Sequence, residues 1–560
     1  MKRKIHILIA LLSSLTIAVS SCEKALEEIV YSSLTQDIAF TTGENAQGAV
    51  DAMYIPLHSL YREPMWMIND IPTDVGVRAY CSEWLNDEQE KVDNIISDVY
   101  HCFTQIYSRA NDVICIVPTM DDELFDTGGV QSKDLLVAQA KFMRAYAYYE
   151  LTDIYYQVPL VITNDEKLNE PSTFASIDEI EAQIEADLKA CVNDLPKSWE
   201  RSQAQRPTYG AAEAFLVRLY MRQAGRARLA GDAGKASEKW NAALTEVNNV
   251  LALEGEEYQL YPDVWTAFDP TTDEALYNDE LIWAVRASRD VHSGSWDLGL
   301  MCTPWEYDMG WDCYRCSLEL YWSFDPEDTR LTELIVDNYP DVYNDAFPDD
   351  QWYYMAPPTI KDVGRCIEIL EGMFGPGAMT YDEHSYVSTQ KYMFLNTWTY
   401  NYDTPNNFPI VRLSDMILCK AEILNELKGP NQESVNLINR IRERAFTNAE
   451  HNISLGDYAN TDALRSAICD ERAWELNSEA MRRPDLIRMG LWKDRYDKYV
   501  ASQKEKAHWK AINTGNPEGF YDDDFKAYPT DLTENDIRRY FPMPLRETEL
   551  NPELGYARTF

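Results

Sequence analysis

Residues 296–314, WDLGLMCTPWEYDMGWDCY, place three tryptophans and two tyrosines in nineteen positions. Indole and phenol faces stack on the apolar faces of sugar rings, whose axial hydrogens carry partial positive charge toward the π cloud. Neighbouring carboxylates then accept hydrogen bonds from the sugar hydroxyls. Trp296 beside Asp297 and Trp311 beside Asp312 supply both kinds of group side by side. The spacing of Trp296, Trp305 and Trp311 fits neither a helical nor a strand period, and Gly299, Pro304 and Gly310 interrupt any regular element, so the segment reads as a loop. A contiguous exposed aromatic cluster usually marks a binding surface. The competing use of each ring, taken singly, is to pin a long loop to the body beneath it.

Other reactive groupings are weaker. Cys313 and Cys316 form one C-x-x-C. Zinc needs a second pair at matching spacing, which Cys302 and Cys366 do not supply, so a free or locally bridged pair is expected and no metal site. Glu471, Glu475 and Glu479 lie four apart, which stacks like charges on one helical face and is unfavourable without partners. Arg440, Arg442, Arg444, Arg472 and Arg482 are available to neutralise them, so a packed ion network is expected in place of acid–base catalysis. The seven histidines are scattered, and the chain has no H-E-x-x-H, P-loop or nucleophile elbow. No catalytic residue, cofactor or enzymatic activity is therefore expected.

The elements that must position these groups are mainly helical. In LLVAQAKFMRAYAYYELTDIYY, Ala138, Phe142, Ala145 and Tyr149 recur at helical spacing, and Pro159 ends the pattern. SIDEIEAQIEADLKACVNDLP carries Ser176 three residues before Glu179, a capping box. TYGAAEAFLVRLYMRQAG and KASEKWNAALTEVNNVLAL follow, rich in small residues that let helices approach closely. Four such helices with short links resemble stacked tetratricopeptide-type pairs. From about 255 to 409 the pattern breaks into Pro, Asp, Tyr and Trp, a stretch too long to be idle in a compact chain. Helices resume from about 410. The expected organisation is one body over 22–560, with N-terminal helical repeats (22–254), a loop-rich ligand-binding excursion (255–409), and C-terminal helices and tail (410–560).

At 560 residues with 45% hydrophobic content, the chain can bury a large core. Its 93 acids against 51 bases give a net charge of −42, which repels phosphate backbones and argues against a nucleic-acid partner. Lys2, Arg3 and Lys4 precede a short apolar run, the pattern of an export leader over residues 1–21. VSSC, ending at Cys22, resembles the lipobox of bacterial lipoproteins. That resemblance implies acylation of the Cys22 thiol, with ordinary secretion as the alternative.

RLSDMILCKAEILNE (412–426), LINRIRERA (437–445) and ERAWELNSEAMRRPDLIRMG (471–490) closely resemble the C-terminal motifs of SusD/RagB lipoproteins, the surface nutrient-binding proteins of Bacteroidetes. DIAFTTGENAQGAVDAMY, KFMRAYAYYELTDIYYQVPL and SLELYWSFDPEDTR resemble the family's N-terminal and central segments. Two departures stand out: Ala480 where the family usually has glycine, and an ending, NPELGYARTF, without the usual asparagine-rich extension. The resemblance implies a protein on the outer membrane, facing the cell exterior, that binds oligosaccharide and delivers it to a SusC-like TonB-dependent transporter. It also implies ligand contacts from two loops, here 69–87 and the 296–314 stretch. The candidate ligand residues are thus Trp296, Trp305, Trp311, Tyr314, Trp84, Tyr80, Asp74, Arg78 and Asn86, with Trp322 expected in the core. Capture of peptides, or a helical-repeat scaffold that binds only a protein partner, are the alternatives.

Overall fold

Near the N-terminus, helices α1 (Gly43–Asp51), α2 (Ile55–Arg62) and α3 (Pro64–Asn69) lead into a short strand, β1 (Gly76–Val77). In the computed structural model the described residues are 40–77, 89–126, 128–163, 173–269, 272, 277–287, 298–303, 310–311, 313–339, 354–363, 387–392, 405–513 and 539–554. A long helix, α4 (Gln89–Ile116), then precedes the four helices expected from the pattern: α5 (Lys133–Tyr155), α6 (Ile177–Cys191), α7 (Tyr209–Leu229) and α8 (Ala233–Leu251). Each of those four has a side-chain N-cap, from Ser132, Ser176, Thr208 and Asp232 in turn, and the Ser176–Glu179 capping box forms as read. Helix α5 stops earlier than Pro159 requires, because Tyr156 turns to φ 67°.

Successive helices pack side by side from α4 to α8. The segment between α8 and the next long helix begins and ends in one sheet. Strand β2 (Leu281–Val285) pairs antiparallel with β8 (Phe408–Arg412), which closes the excursion at its neck. The register shifts around Trp283 and the pairing of Ala284 with Pro409 suit a strand that lacks one ladder donor. Trp283 is buried and meets Phe142, Tyr146 and Phe215 edge-on at 4.8, 4.9 and 5.8 Å, so the neck is fastened into the helical body.

Inside the excursion lie α9 (Leu298–Cys302), β3 (Arg315–Cys316), α10 (Leu318–Ser323), α11 (Thr329–Glu333) and four more two-residue strands. Of these, β4 (Ile335–Val336) pairs with β7 (Ser388–Thr389), and β5 (Asn338–Tyr339) with β6 (Tyr354–Met355). The stretch read as loop from 296 thus contains one buried helical turn, α9. Its Leu298, Leu300 and Met301 face the core, where burial outweighs the low helix preference of Gly299. Trp322 is half-buried against the core and donates its indole N–H to the Pro357 carbonyl at 2.7 Å.

After β8 come α12 (Leu413–Lys428), α13 (Gln432–Phe446), α14 (Thr461–Leu476), α15 (Arg482–Met489), α16 (Trp492–Asn513) and α17 (Leu545–Leu550). Helix α12 packs on α8 and on α13, so helices from the two ends of the chain form one stack. Helix α15 also touches α7. A Cβ at Gly225 would lie 2.6 Å from the Arg488 carbonyl oxygen, so only glycine permits that approach.

The expected ion network exists, with Arg442 and Arg444 as members and with Arg440, Arg472 and Arg482 replaced. Glu475 is fully buried and paired with Arg444, with Arg412 (2.6 Å) and with Arg330 (3.2 Å). Glu471 meets Arg330 (2.8 Å) and Arg442 (2.9 Å), while Glu479 meets Arg412 (2.8 Å) and Lys391 (2.6 Å). Arg440, Arg472 and Arg482 are engaged elsewhere, with Glu254, with Asp415 and Asp485, and with Asp74. Nor do the three glutamates share one helical face: α14 ends at Leu476, and the chain turns through Ser478 (φ 64°) and Ala480 (φ 58°). The replacement cations Arg330, Lys391 and Arg412 come from the excursion and its neck. The excursion is thereby bolted to the C-terminal helices by buried charge.

A sugar-face candidate at Trp311

Strand β1 pairs antiparallel with β3, Gly76 opposite Cys316 and Val77 opposite Arg315. Beside this pair the Ser317 N–H and hydroxyl donate to the Val75 and Asp74 carbonyls, at 2.9 and 2.5 Å, and the Cys316 N–H donates to Val387 at 3.1 Å. The chain runs directly from β1 into 78–88, and directly from 310–314 into β3. The two segments singled out in the sequence, far apart along the chain, are joined here, the first at its middle and the second at its end.

Backbone bonds hold the second segment down. The Trp311 N–H donates to Leu300 O and the Cys313 N–H to Met301 O, both at 2.7 Å. A Cβ at Gly310 would collide with the Thr303 carbonyl oxygen, so glycine is what lets this strand-like stretch lie against the end of α9. Held in this way, Trp311 stays 49% exposed, an unusual position for an indole. The Arg62 guanidinium carbon, at the end of α2, lies 5.8 Å from its ring centroid, within cation–π range. Arg62 is placed by its own chain, since its carbonyl accepts the Trp66 indole N–H at 3.0 Å.

The other candidates fall into two groups. Tyr314 is only 1% exposed and meets Trp66 edge-on at 4.8 Å, so it belongs to the packed interior and offers no face to a ligand in this structure; burial pushes its phenol well above the usual value. Asp74 is held by both the Nε and Nη2 atoms of Arg482, each at 2.7 Å. Burial alone would raise its carboxyl, but the Arg482 guanidinium more than offsets that and holds it below the ordinary range. Trp296, Trp305, Trp84, Tyr80, Arg78, Asn86 and Cys22 lie outside the described residues. Cys313 and Cys316 are not bridged by a disulfide, and the Cys313 thiol donates to Trp311 O at 3.6 Å.

The base of the first segment is fixed by the C-terminal motif. The Ala480 and Arg482 amides donate to the buried Asp70 carboxylate at 2.9 and 3.2 Å, and Arg483 reaches Asn69 (3.0 Å) and Asp153 (2.5 Å). Burial pushes Asp70 up to about 7 against the pull of those two amides. In MRRPD, consecutive arginines therefore grip the residues that lead into β1. Arg62 had no signal in the sequence, because its pairing with Trp311 exists only across the fold. Chemically, the face can stack a planar or apolar ring and donate hydrogen bonds from a guanidinium, and among the described residues it gathers no nucleophile with a base.

Comparison with known proteins agrees with this architecture. A family model described as "SusD family" matches residues 279–556, and one described as "Starch-binding associating with outer membrane" matches 26–221. The chain belongs to the SusD family. SusD-like protein P2 of Formosa agariphila is 23% identical over 492 residues, 83% of this chain and 87% of that protein. Among solved structures, a SusD homologue from Bacteroides thetaiotaomicron aligns with a TM-score of 0.66 at 20% identity, covering 94% of this chain and 98% of its own. A laminarin-binding SusD-like protein aligns at 0.59 with 19% identity, covering 90% and 97%.

Proposed function

We propose that this protein captures oligosaccharide or polysaccharide at the cell surface, on the face marked by Trp311, and delivers it to a SusC-like TonB-dependent transporter. Its chemistry is binding and release, without bond cleavage. The observation that carries the reading is the β1–β3 pairing beneath an exposed indole flanked by Arg62. An exposed ring costs solubility unless it has an occupant, and a sugar face is the occupant its flat, cation-bordered surface suits. Arg78, Tyr80, Trp84 and Asn86 follow β1 in the chain, and Trp296 and Trp305 precede Trp311; these supply the remaining contacts, while Asp74 and Tyr314 act as supports. Laminarin binding by a protein of the same fold favours a glycan over a peptide. Acyl chains on Cys22 hold the protein at the outer membrane, facing outward.

The test is calorimetric titration of the purified protein with laminari-, malto- and xylogluco-oligosaccharides beside a panel of peptides. Saturable binding of at least one glycan class is expected. Binding of peptides alone would redirect the reading to peptide capture, and the absence of any small ligand would leave a scaffold for a protein partner.

A further inference from the structure

The C-x-x-C of the sequence is not the pair of thiols that the fold brings together. Cys316 is drawn into β3 opposite Gly76, its amide is bonded to Val387 O, and its thiol turns to the Ser478 hydroxyl at 3.9 Å. Cys313 lies instead against the end of α9, whose last residue is Cys302.

Three backbone bonds set the separation of Cys302 and Cys313. The Trp311 N–H donates to Leu300 O and the Cys313 N–H to Met301 O, both at 2.7 Å, and the Tyr314 N–H donates to Met301 O at 3.2 Å. The Met301 carbonyl belongs to the peptide unit that carries the Cys302 nitrogen. With ordinary bond lengths, this contact leaves the two cysteine Cα atoms no more than about 7 Å apart. The N–H that points at the carbonyl stands at an angle to the N–Cα bond, so the path is bent. The separation therefore falls into the range of about 4.4–6.8 Å that a disulfide spans.

The side chains agree with the backbone. Cys302 is 2% exposed and Cys313 half-buried, and both belong to one packed cluster. The Cys313 thiol leans on the carbonyl of Trp311, the residue whose amide is bonded to α9. Burial first, and then the Cys313 and Cys316 sulfurs, push the Cys302 thiol well above its ordinary value. Among the described residues no group of three or more histidine, cysteine and carboxylate side chains is arranged to hold a metal ion, so bridging is the chemistry open to the pair.

We propose that Cys302 and Cys313 form a disulfide when the protein meets a disulfide oxidant, and that this bridge closes residues 303–312 into a ring that carries Trp311. The Cys313 thiolate, the more accessible of the two, attacks the oxidant, forms a mixed disulfide and expels one thiolate. The Cys302 thiolate then attacks the Cys313 sulfur and expels the second. Two protein thiols are oxidised, one oxidant disulfide is reduced to two thiols, and the two protein protons pass through water to the leaving groups. The ring ties both ends of the Trp311 segment to α9 whether or not a sugar binds there.

The experiment incubates the full chain with oxidised glutathione, alkylates the remaining thiols in denaturant and maps the peptides without reduction. A Cys302–Cys313 link, two hydrogens lighter than the reduced pair, should be the main product. It should form faster as pH rises, because the buried Cys302 thiol must ionise. Linked protein should melt a few degrees above protein kept in dithiothreitol. Cys313→Ser should lose both the link and the redox difference in melting, while Cys316→Ala should keep both; if either variant fails to fold, the peptide map of the parent decides. A Cys313–Cys316 link, glutathione left on Cys313 beside an alkylated Cys302, or alkylation of both thiols after oxidation would each overturn the assignment.

Discussion

Around Glu475 and around Trp311 the protein uses arginine in opposite ways. In the first region Arg330, Lys391, Arg412, Arg442 and Arg444 meet Glu280, Asp328, Glu471, Glu475 and Glu479, five cations against five anions, nearly all shut away from water. In the second, among the described residues, the Arg62 guanidinium lies beside an indole that water reaches. Buried charges hold their places only as a complete set, because each one left unmatched keeps its desolvation cost. That makes the first region a rigid mount. It also frees Trp311 from the task of pinning the excursion down, since β2–β8 pairing, the buried Trp283 and the ions perform that task. A ring that is not needed to hold the fold is available to hold something else.

The sharpest way to break this contrast is to substitute one residue in each region. Glu475→Ala should destabilise the protein by about 3–5 kcal/mol, because Arg330, Arg412 and Arg444 would share too little negative charge. Thermal melts measure this, and glycan affinity of the protein that remains folded should not change. Product chromatography that found hydrolysis by the parent and none by the variant would instead make Glu475 catalytic. Trp311→Ala should do the reverse. It should cost about 2 kcal/mol or more in glycan binding, well over tenfold in affinity, while stability stays within about 0.5 kcal/mol. A melt that collapsed with Trp311→Ala would assign the ring to the mount.

Two smaller effects sharpen the picture at the junction between the regions. Asp70 is raised to about 7, so the stability its protonated form confers is complete below the ordinary carboxylate value and is lost as pH rises through about 7. Glu150, raised to about 8 by burial, adds to the same trend, whereas Glu475, held well below its usual value by its arginines despite burial, loses its contribution only in strong acid. Melting temperature should therefore decline from about pH 4 to about pH 7. In Asp70→Asn that decline should be shallower, though the variant starts lower because an amide offers one acceptor oxygen to two N–H groups. An unchanged slope would show that Asp70 is ionised throughout. Ala480→Gly, the smallest change, should raise stability by about 1 kcal/mol, since an alanine at φ 58° carries a left-handed penalty that glycine does not. Denaturant titration resolves a difference of that size, and no gain would mean that the turn relaxes.

Local signals in the sequence were reliable where the physics is local. Ser176 and Glu179 cap α6 as their spacing dictates, and the apolar period of 135–156 is that of α5. Leu298–Cys302 reads as loop in the sequence, since a single buried turn has too few residues for a period to declare itself. The glutamate spacing of four correctly implied a need for cations, but the nearest arginines in sequence were mostly the wrong ones. Pairing in an interior depends on which side chains the packed elements bring within a few ångströms, and α14 stops before Glu479.

The sequence by itself determined that this is a mainly helical, acidic chain. Helix periods, caps and composition are properties of residues near one another along the chain. Only the tertiary structure decided that β1 meets β3, that Arg62 borders Trp311, that Tyr314 packs edge-on against Trp66 and that Asp74 is held by Arg482. Those contacts join segments that lie hundreds of residues apart along the chain. Their partners are selected by the closing of the β2–β8 neck and the matching of buried charge, which no local spacing encodes.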